Sequence, residues 1–227
     1  MSALADTFLN AEAARASSTL LRMGLVETVR LVVAVFAVSL ALGAIVFWLR
    51  TGRWRPLRLL SIAYIDAVRA TPPIVLLVVV YYALPAVGLP SLDVFQAGWT
   101  ALGLLHGAHV GEIYRAGWLA LDPGQEVAAR ASGLTGWQAT RFVLIPQATR
   151  VALPPLTSQL TQIVRDSPLT FMVGYPELLT RAREAQNLTA NSTPIVVAAA
   201  LFFVLLLALQ ATCLWGERRA RRRVAAA

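Results

Sequence analysis

Residues 193–216 run without a single charged side chain. A helix needs about 20 apolar residues to cross the hydrocarbon core of a bilayer, so this run is long enough to span. That confines the fold sharply. Lipid offers no partner to a backbone amide, so a spanning segment is a helix or a strand of a closed barrel, and a long continuous run without alternation reads as helix. Residues 31–49 form a second run of this kind. Residues 70–92 are also uncharged but punctuated by prolines, residues 94–111 are uncharged and carry His106 and His109, and residues 142–164 are interrupted by Arg150. The expectation is an all-α membrane protein with five transmembrane helices. Composition agrees, with 57% hydrophobic and 14% charged residues where a soluble domain has about 25% charged.

The formal net charge is +8. The positive residues cluster beside the spans rather than on a surface suited to nucleic acid: Arg50, Arg53, Arg55 and Arg58 follow the first run, and Arg218, Arg219, Arg221, Arg222 and Arg223 follow the last. Basic residues flanking spans stay in the cytoplasm. With five spans the N-terminus is then periplasmic and the C-terminus cytoplasmic, in the inner membrane. The N-terminus lacks a basic-then-apolar-then-small pattern, so no cleaved leader is expected. The chain has one cysteine, Cys213, which rules out an internal disulfide and makes a metal site improbable.

The expected organisation is a polar, periplasmic N-terminal arm over residues 1–23, a membrane domain over 24–219 and a basic cytoplasmic tail over 220–227. The first helix is expected over 24–49, with Glu27 and Arg30 at i,i+3. The second starts near Leu57 and must bend at Pro72–Pro73. The polar stretch 122–147 reads as helix, sharp turn, helix. Asp122-Pro123-Gly124-Gln125 suits a helix start. Gly133 suits a C-terminal stop at positive φ. Thr135 with Gln138 three residues on suits a second cap, and Pro146 should end or kink the helix that follows.

Residues 126–133 (EVAARASG), followed by Leu144-Ile145-Pro146-Gln147-Ala148, resemble the EAA loop of ABC importer permeases. Val127 stands where the first Ala is usual, and Ile145-Pro146 where Leu-Pro is. The likeness extends to residues 64–73 (YIDAVRATPP), 81–85 (YYALP), 107–117 (GAHVGEIYRAG), 123–125, 152–156 (ALPPL) and 165–169 (RDSPL), which are similar to the polar amino-acid branch of that family. It covers roughly residues 24–219. The resemblance implies the five-span type I importer arrangement with a cytoplasmic coupling helix. It implies a translocation path for a polar amino acid, and a helix carrying Glu126, Ala128, Ala129 and Gly133 that seats in a separate ATPase. It also implies an assembly with a second permease copy or a homologous permease, two ATPase subunits, a periplasmic amino-acid-binding protein and surrounding lipid. ATP and Mg would be held by the ATPase. This chain has no Gly-x-x-x-x-Gly-Lys-Ser/Thr loop, and no catalytic residue or cofactor is expected in it.

Charges at membrane depth are expensive and face a cavity or the bundle interior. The candidates for a substrate path are Arg165, Asp166, Ser167, Arg69, Thr71 and Glu112, with Asp66 and Arg115 as further charges and Gln159 and Gln162 as neutral partners. The alternative is internal pairing, Asp66 with Arg69 and Glu112 with Arg115, both at i,i+3. Arg165 and Asp166 are adjacent and should face apart, and Pro168 should break the helix beside them. His106 and His109 read as polar packing groups. The rival reading is an ion-coupled secondary transporter, which would carry repeated halves; none is visible in the sequence.

Overall fold

The computed structural model describes residues 6–225, and every regular element in that range is helical. Helix α1 (Ala11–Thr51) opens on Asn10, whose side chain accepts from the N–H groups of Glu12 and Ala13. It therefore begins well before the expected Gly24, and residues 11–23 are no separate arm. Ala13, Ser17, Leu21, Gly24 and Thr28 form a buried stripe at helical spacing. A Cβ on Gly24 would lie 2.8 Å from the Leu178 backbone. The charges that made this segment look polar, Arg15 and Arg22, occupy its exposed face.

Helix α2 (Arg55–Ala70) and helix α3 (Pro73–Ala86) meet at 108°. The residue before a proline avoids the helical region, and Thr71 is extended at φ −89°, ψ 128°. The chain thus turns at Thr71-Pro72, as the tandem proline requires, instead of continuing as one helix. Helix α4 (Val94–Leu119) starts in a capping box in which Asp93 and Gln96 satisfy each other's backbone N–H groups. Two short helices follow, α5 (Gly124–Ala131) and α6 (Gly136–Ala139). Helix α7 (Ile145–Asp166) passes into a 3-10 segment, Ser167–Val173, which Gly174 ends at φ 77°. Helix α8 (Leu178–Thr189) and helix α9 (Thr193–Ala225) complete the chain.

Pro146 does not end the helical run it lies in. A π turn, Thr140–Leu144, joins α6 to α7 directly ahead of it. The same device, Val79–Ala83, precedes Pro85 inside α3. A proline clashes with the carbonyl four residues back and cannot donate to it, and one wide i→i+5 turn relieves both.

The main seam lies between α1 and α4. Gly103, Gly107 and Gly111 of α4 face Val38, Leu42 and Val46 of α1, and a Cβ on the three glycines would come within 2.8, 2.7 and 2.8 Å of them. Around that seam Leu31, Val35, Leu77, Ala101, Ile163 and Tyr175 form a core shared by α1, α3, α4, α7 and the segment before α8.

Asp6–Thr51 and Thr193–Cys213 are long and apolar enough to cross a membrane, each holding a stretch of mean hydropathy 2.6, and the bent pair α2–α3 makes a third if it is one span. Helices α4 and α7 fall short because they carry His106, His109, Glu112 and Arg115, and Arg150, Gln159, Gln162 and Arg165. His106, Glu112, Arg115, Gln159 and Gln162 have side-chain partners within the chain, whereas Arg150 and Arg165 are exposed.

Candidate functional site

The loop over residues 122–147 is built as its residues dictate. The Asp122 carboxylate accepts the Gly124 N–H at 2.7 Å and starts α5 one residue later than the Asp-Pro pair suggests. At the far end Gly133 stands at φ 87°. Its N–H bonds the Arg130 carbonyl, and the Leu134 N–H bonds the Ala129 carbonyl at 3.3 Å, a Schellman closure. Thr135 and Gln138 form the expected capping box for α6. The Gln147 amide reaches Gln125 at 3.1 Å and ties the start of α5 to α7.

The faces of α5 divide cleanly. Ala129 is 7% exposed, packed against its own chain. At this helical phase its methyl seats α5 on the bundle. Glu126, Val127 and Ala128 point outward, with Val127 at 68% exposure. Glu126 sits in the first turn, where a carboxylate suits the helix dipole, and reaches Arg130 only at 4.0 Å.

The polar groups at membrane depth assort differently from their order in sequence. Asp166 ends α7, and its Oδ1 accepts from the Gln162 amide at 3.0 Å. Its Oδ2 lies 3.4 Å from His106 Nε2. His106 is 1% exposed, and its Nδ1 stands 2.6 Å from the Gln159 amide nitrogen. With Gln159 donating, the imidazole carries its proton on Nε2, which faces Asp166 and has no other partner. The packing histidine is thus also the neighbour of the candidate carboxylate. Sixty positions separate them, and only the packing of α4 on α7 brings them together.

Arg165 faces away from Asp166, as adjacent helical residues must. It is exposed and lines a 380 Å³ groove with Thr161 and Gln210. Ser167 is fully buried and donates to the Val164 carbonyl at 2.9 Å, so it closes the helix end and is not presented to a path. Thr71 Oγ1 likewise donates to its own helix, to the Ala67 carbonyl at 2.8 Å. Asp66 and Arg69 are both exposed, and no ion pair joins them among the described residues; the expected internal pairing is absent. The Glu112–Arg115 pair is present and bidentate, with a bond of 2.9 Å. Arg50 adds a second contact at 3.0 Å. Glu112 therefore clamps the end of α1 to α4, two turns along from His106, and is not gathered with Asp166.

On the opposite end of the bundle the Tyr175 hydroxyl donates to Glu27 at 2.7 Å, and Glu27 pairs with Arg30 at 3.3 Å. Glu177 is fully buried and caps α8 by accepting from Leu179 and Thr180. These bonds fix the segment after Pro168 against α1. Among the described residues no cluster could hold a metal ion.

Comparison with known proteins places this architecture. Residues 37–222 match the family model of the binding-protein-dependent transport system inner membrane component. The chain is 34% identical over 183 residues to the probable glutamine ABC transporter permease GlnM of Bacillus subtilis (strain 168), covering 81% of this chain and 84% of that one. It is 32% identical to the arginine transport system permease ArtQ of the same organism, over 82% and 85% of the two chains. Its fold superposes on the crystal structure of an amino acid ABC transporter with histidines at TM-score 0.83 and 32% identity, covering 89% of this chain and 94% of that one. The chain belongs to the family of inner-membrane permease components of binding-protein-dependent transport systems.

Proposed function

We propose that this chain is the permease of an ATP-driven importer for a polar amino acid, and that it works by mechanical coupling without chemistry of its own. The observation that carries the reading is α5: a short helix at the membrane edge, closed by Gly133, with Glu126, Val127 and Ala128 facing out. Such a helix transmits motion only if its angle to the spans is fixed, and the Schellman turn and the Gln125–Gln147 bond fix it. A separate ATPase would receive it and would hold ATP and Mg. Relatives named for glutamine and arginine support a polar amino acid as cargo.

The five spans of this reading are α1, the bent pair α2–α3, α4, α7 and α9, with the N-terminus periplasmic and α5 and the C-terminus cytoplasmic. Asp166 with His106, and Arg165 in its groove, are the groups placed to meet the charges of an amino acid along the path. A second permease, identical or homologous, completes that path, and two ATPases and a periplasmic binding protein complete the importer. Supporting the pairing, only 6% of the α9 span is buried by its own chain.

Uptake of labelled amino acid in cells depleted of ATP, with the ion gradient intact, tests the energy source; persistence of uptake would favour an ion-coupled carrier. Glu126→Lys tests the coupling surface. It places a cation at a helix N-terminus and reverses the charge shown to the partner. The expected result is near-normal membrane level with loss of ATPase co-purification and of uptake. Retention of both would remove α5 from the mechanism.

A further inference from the structure

At the same end of the bundle as α5 lies an apolar groove whose lining includes none of Glu126, Val127 and Ala128. Its volume is about 690 Å³, and its walls include Ala44 and Trp48 of α1, Trp118 of α4, Trp137 of α6 and Ile145 and Ala148 of α7. Trp48 and Trp137 are 60% and 68% exposed. A second hollow of about 390 Å³ opens on Trp48 as well and includes Arg53.

Two features say what covers it. The first is depth. On α1 the lining runs from Ala44 to Thr51, about 10 Å of helix, so the groove reaches from the edge of the bilayer into the span. In the membrane placement proposed above, the first methylenes of a lipid lie at that level. Tryptophans at this depth present an apolar ring and an N–H directed to the headgroup zone. The second feature is charge. Residues 44–58 and 136–152, which supply most of the lining, contain Arg50, Arg53, Arg55, Arg58, Arg141 and Arg150 and no Asp or Glu. Glu112 engages Arg50. The other five are exposed, and no ion pair involves them among the described residues. Arg141 directly follows Thr140, a residue of the groove wall.

We propose that this groove binds an anionic phospholipid, with one acyl chain against Trp48, Trp118 and Trp137 and the headgroup phosphate answered by Arg53 and Arg141. Basic pockets between helices on the cytoplasmic side suit anionic headgroups, because the charges are matched where the dielectric is low. The assignment to the inner leaflet rests on the proposed sidedness; binding itself does not.

The test uses the full chain with the subunits that co-purify with it, in mild detergent, offered equal amounts of phosphatidylglycerol and phosphatidylcholine. Native mass spectrometry then counts retained lipid. The expected result is about tenfold preference for phosphatidylglycerol. The double variant Arg53→Gln, Arg141→Gln should bring the ratio to near one while leaving phosphatidylcholine retention unchanged. Ala148→Trp, which fills the groove, should lose both lipids while the sample stays monodisperse. Equal retention of the two lipids by the unaltered chain overturns the proposal, as does a preference that survives the double variant. Displacement of the lipid when the ATPase or a second permease binds would assign the groove to a protein and overturn it too. ATP-dependent uptake is read separately, so the lipid site and the transport reading can fail independently.

Discussion

Gly133 has nothing within 4 Å of the place a Cβ would occupy. A side chain there meets no clash, so any effect of substitution comes from its φ of 87°. Residues with a Cβ lose roughly 1 kcal/mol or more in that region, while asparagine tolerates it better than most. Gly133→Val is expected to lose most ATPase association and uptake at near-normal membrane level, whereas Gly133→Asn should keep most of both. Equal loss in the two variants would mean that the surface, and not the backbone angle, matters. At Asp166, Asp166→Asn keeps the shape and the Gln162 contact but removes the charge facing His106. Uptake is expected to fall well below the level set by assembly, read as co-purification of the second permease and the ATPase. Normal uptake with unchanged selectivity would leave Asp166 a purely structural role. The two residues differ in how far sequence reveals them. Gly133 was legible because its turn is local: the cap, the helix and the stop lie within a dozen positions. The His106–Asp166 neighbourhood was not, because residues on different helices meet only through packing. The burial of Ser167 and Ala129 was hidden for a related reason, since helical phase, and not proximity to a motif, decides which way a side chain points.

Among the elements, the α1–α4 seam has the least tolerance. Glycines at 103, 107 and 111 recur every four residues and let the backbone of α4 approach Val38, Leu42 and Val46. Small residues at this spacing permit the close packing that holds helices together in lipid, where no hydrophobic drive separates protein from solvent. Gly107→Leu would force the helices apart at a point where a Cβ already falls 2.7 Å from Leu42. Overpacking of this order costs about 1–3 kcal/mol, and the expected outcome is a lower melting temperature and a reduced monodisperse fraction in detergent. Leu42→Ala in the same chain should restore part of the loss. Additive damage in the double variant would show that the two positions do not share one contact. The spacing lies open in the sequence, yet its use does not, because a glycine repeat names no partner. Polarity misled in two directions at this scale. It made residues 11–23 look like an arm, although a buried stripe runs through them, and it left α4 and α7 short of the apolarity of a lipid-facing span, in part because groups such as His106, Glu112 and Gln159 are paired within the chain.

At the scale of the molecule the two ends are chemically distinct, and the proposed mechanism depends on which end faces the ATPase. One end carries α5, the Arg50–Glu112–Arg115 clamp and the exposed Arg53, Arg55 and Arg58. The other carries the turn at Gly88, the Asp93 cap of α4 and the Tyr175–Glu27 bond. In the proposed five-crossing reading these ends lie on opposite sides, and the arginine bias would assign the first to the cytoplasm. In a Cys213→Ala background, Val87→Cys and Arg53→Cys place single thiols at the two ends; Val87 is 76% exposed and Arg53 is exposed as well. A membrane-impermeant maleimide should label the Val87 position in intact cells and the Arg53 position only after the membrane is opened. Neither site lies in α5, so labelling reports orientation and not coupling. Reversed labelling would put α5 outside, away from any ATP, and would end the importer reading. Labelling of both sites in intact cells would break the five-crossing count, since the bent pair α2–α3 would then enter and leave on one side. The 108° bend makes that pair the crossing most in need of the test. A long straight helix can cross unaided, but a bent pair crosses only if α3 carries the chain on from Pro73 to the far surface.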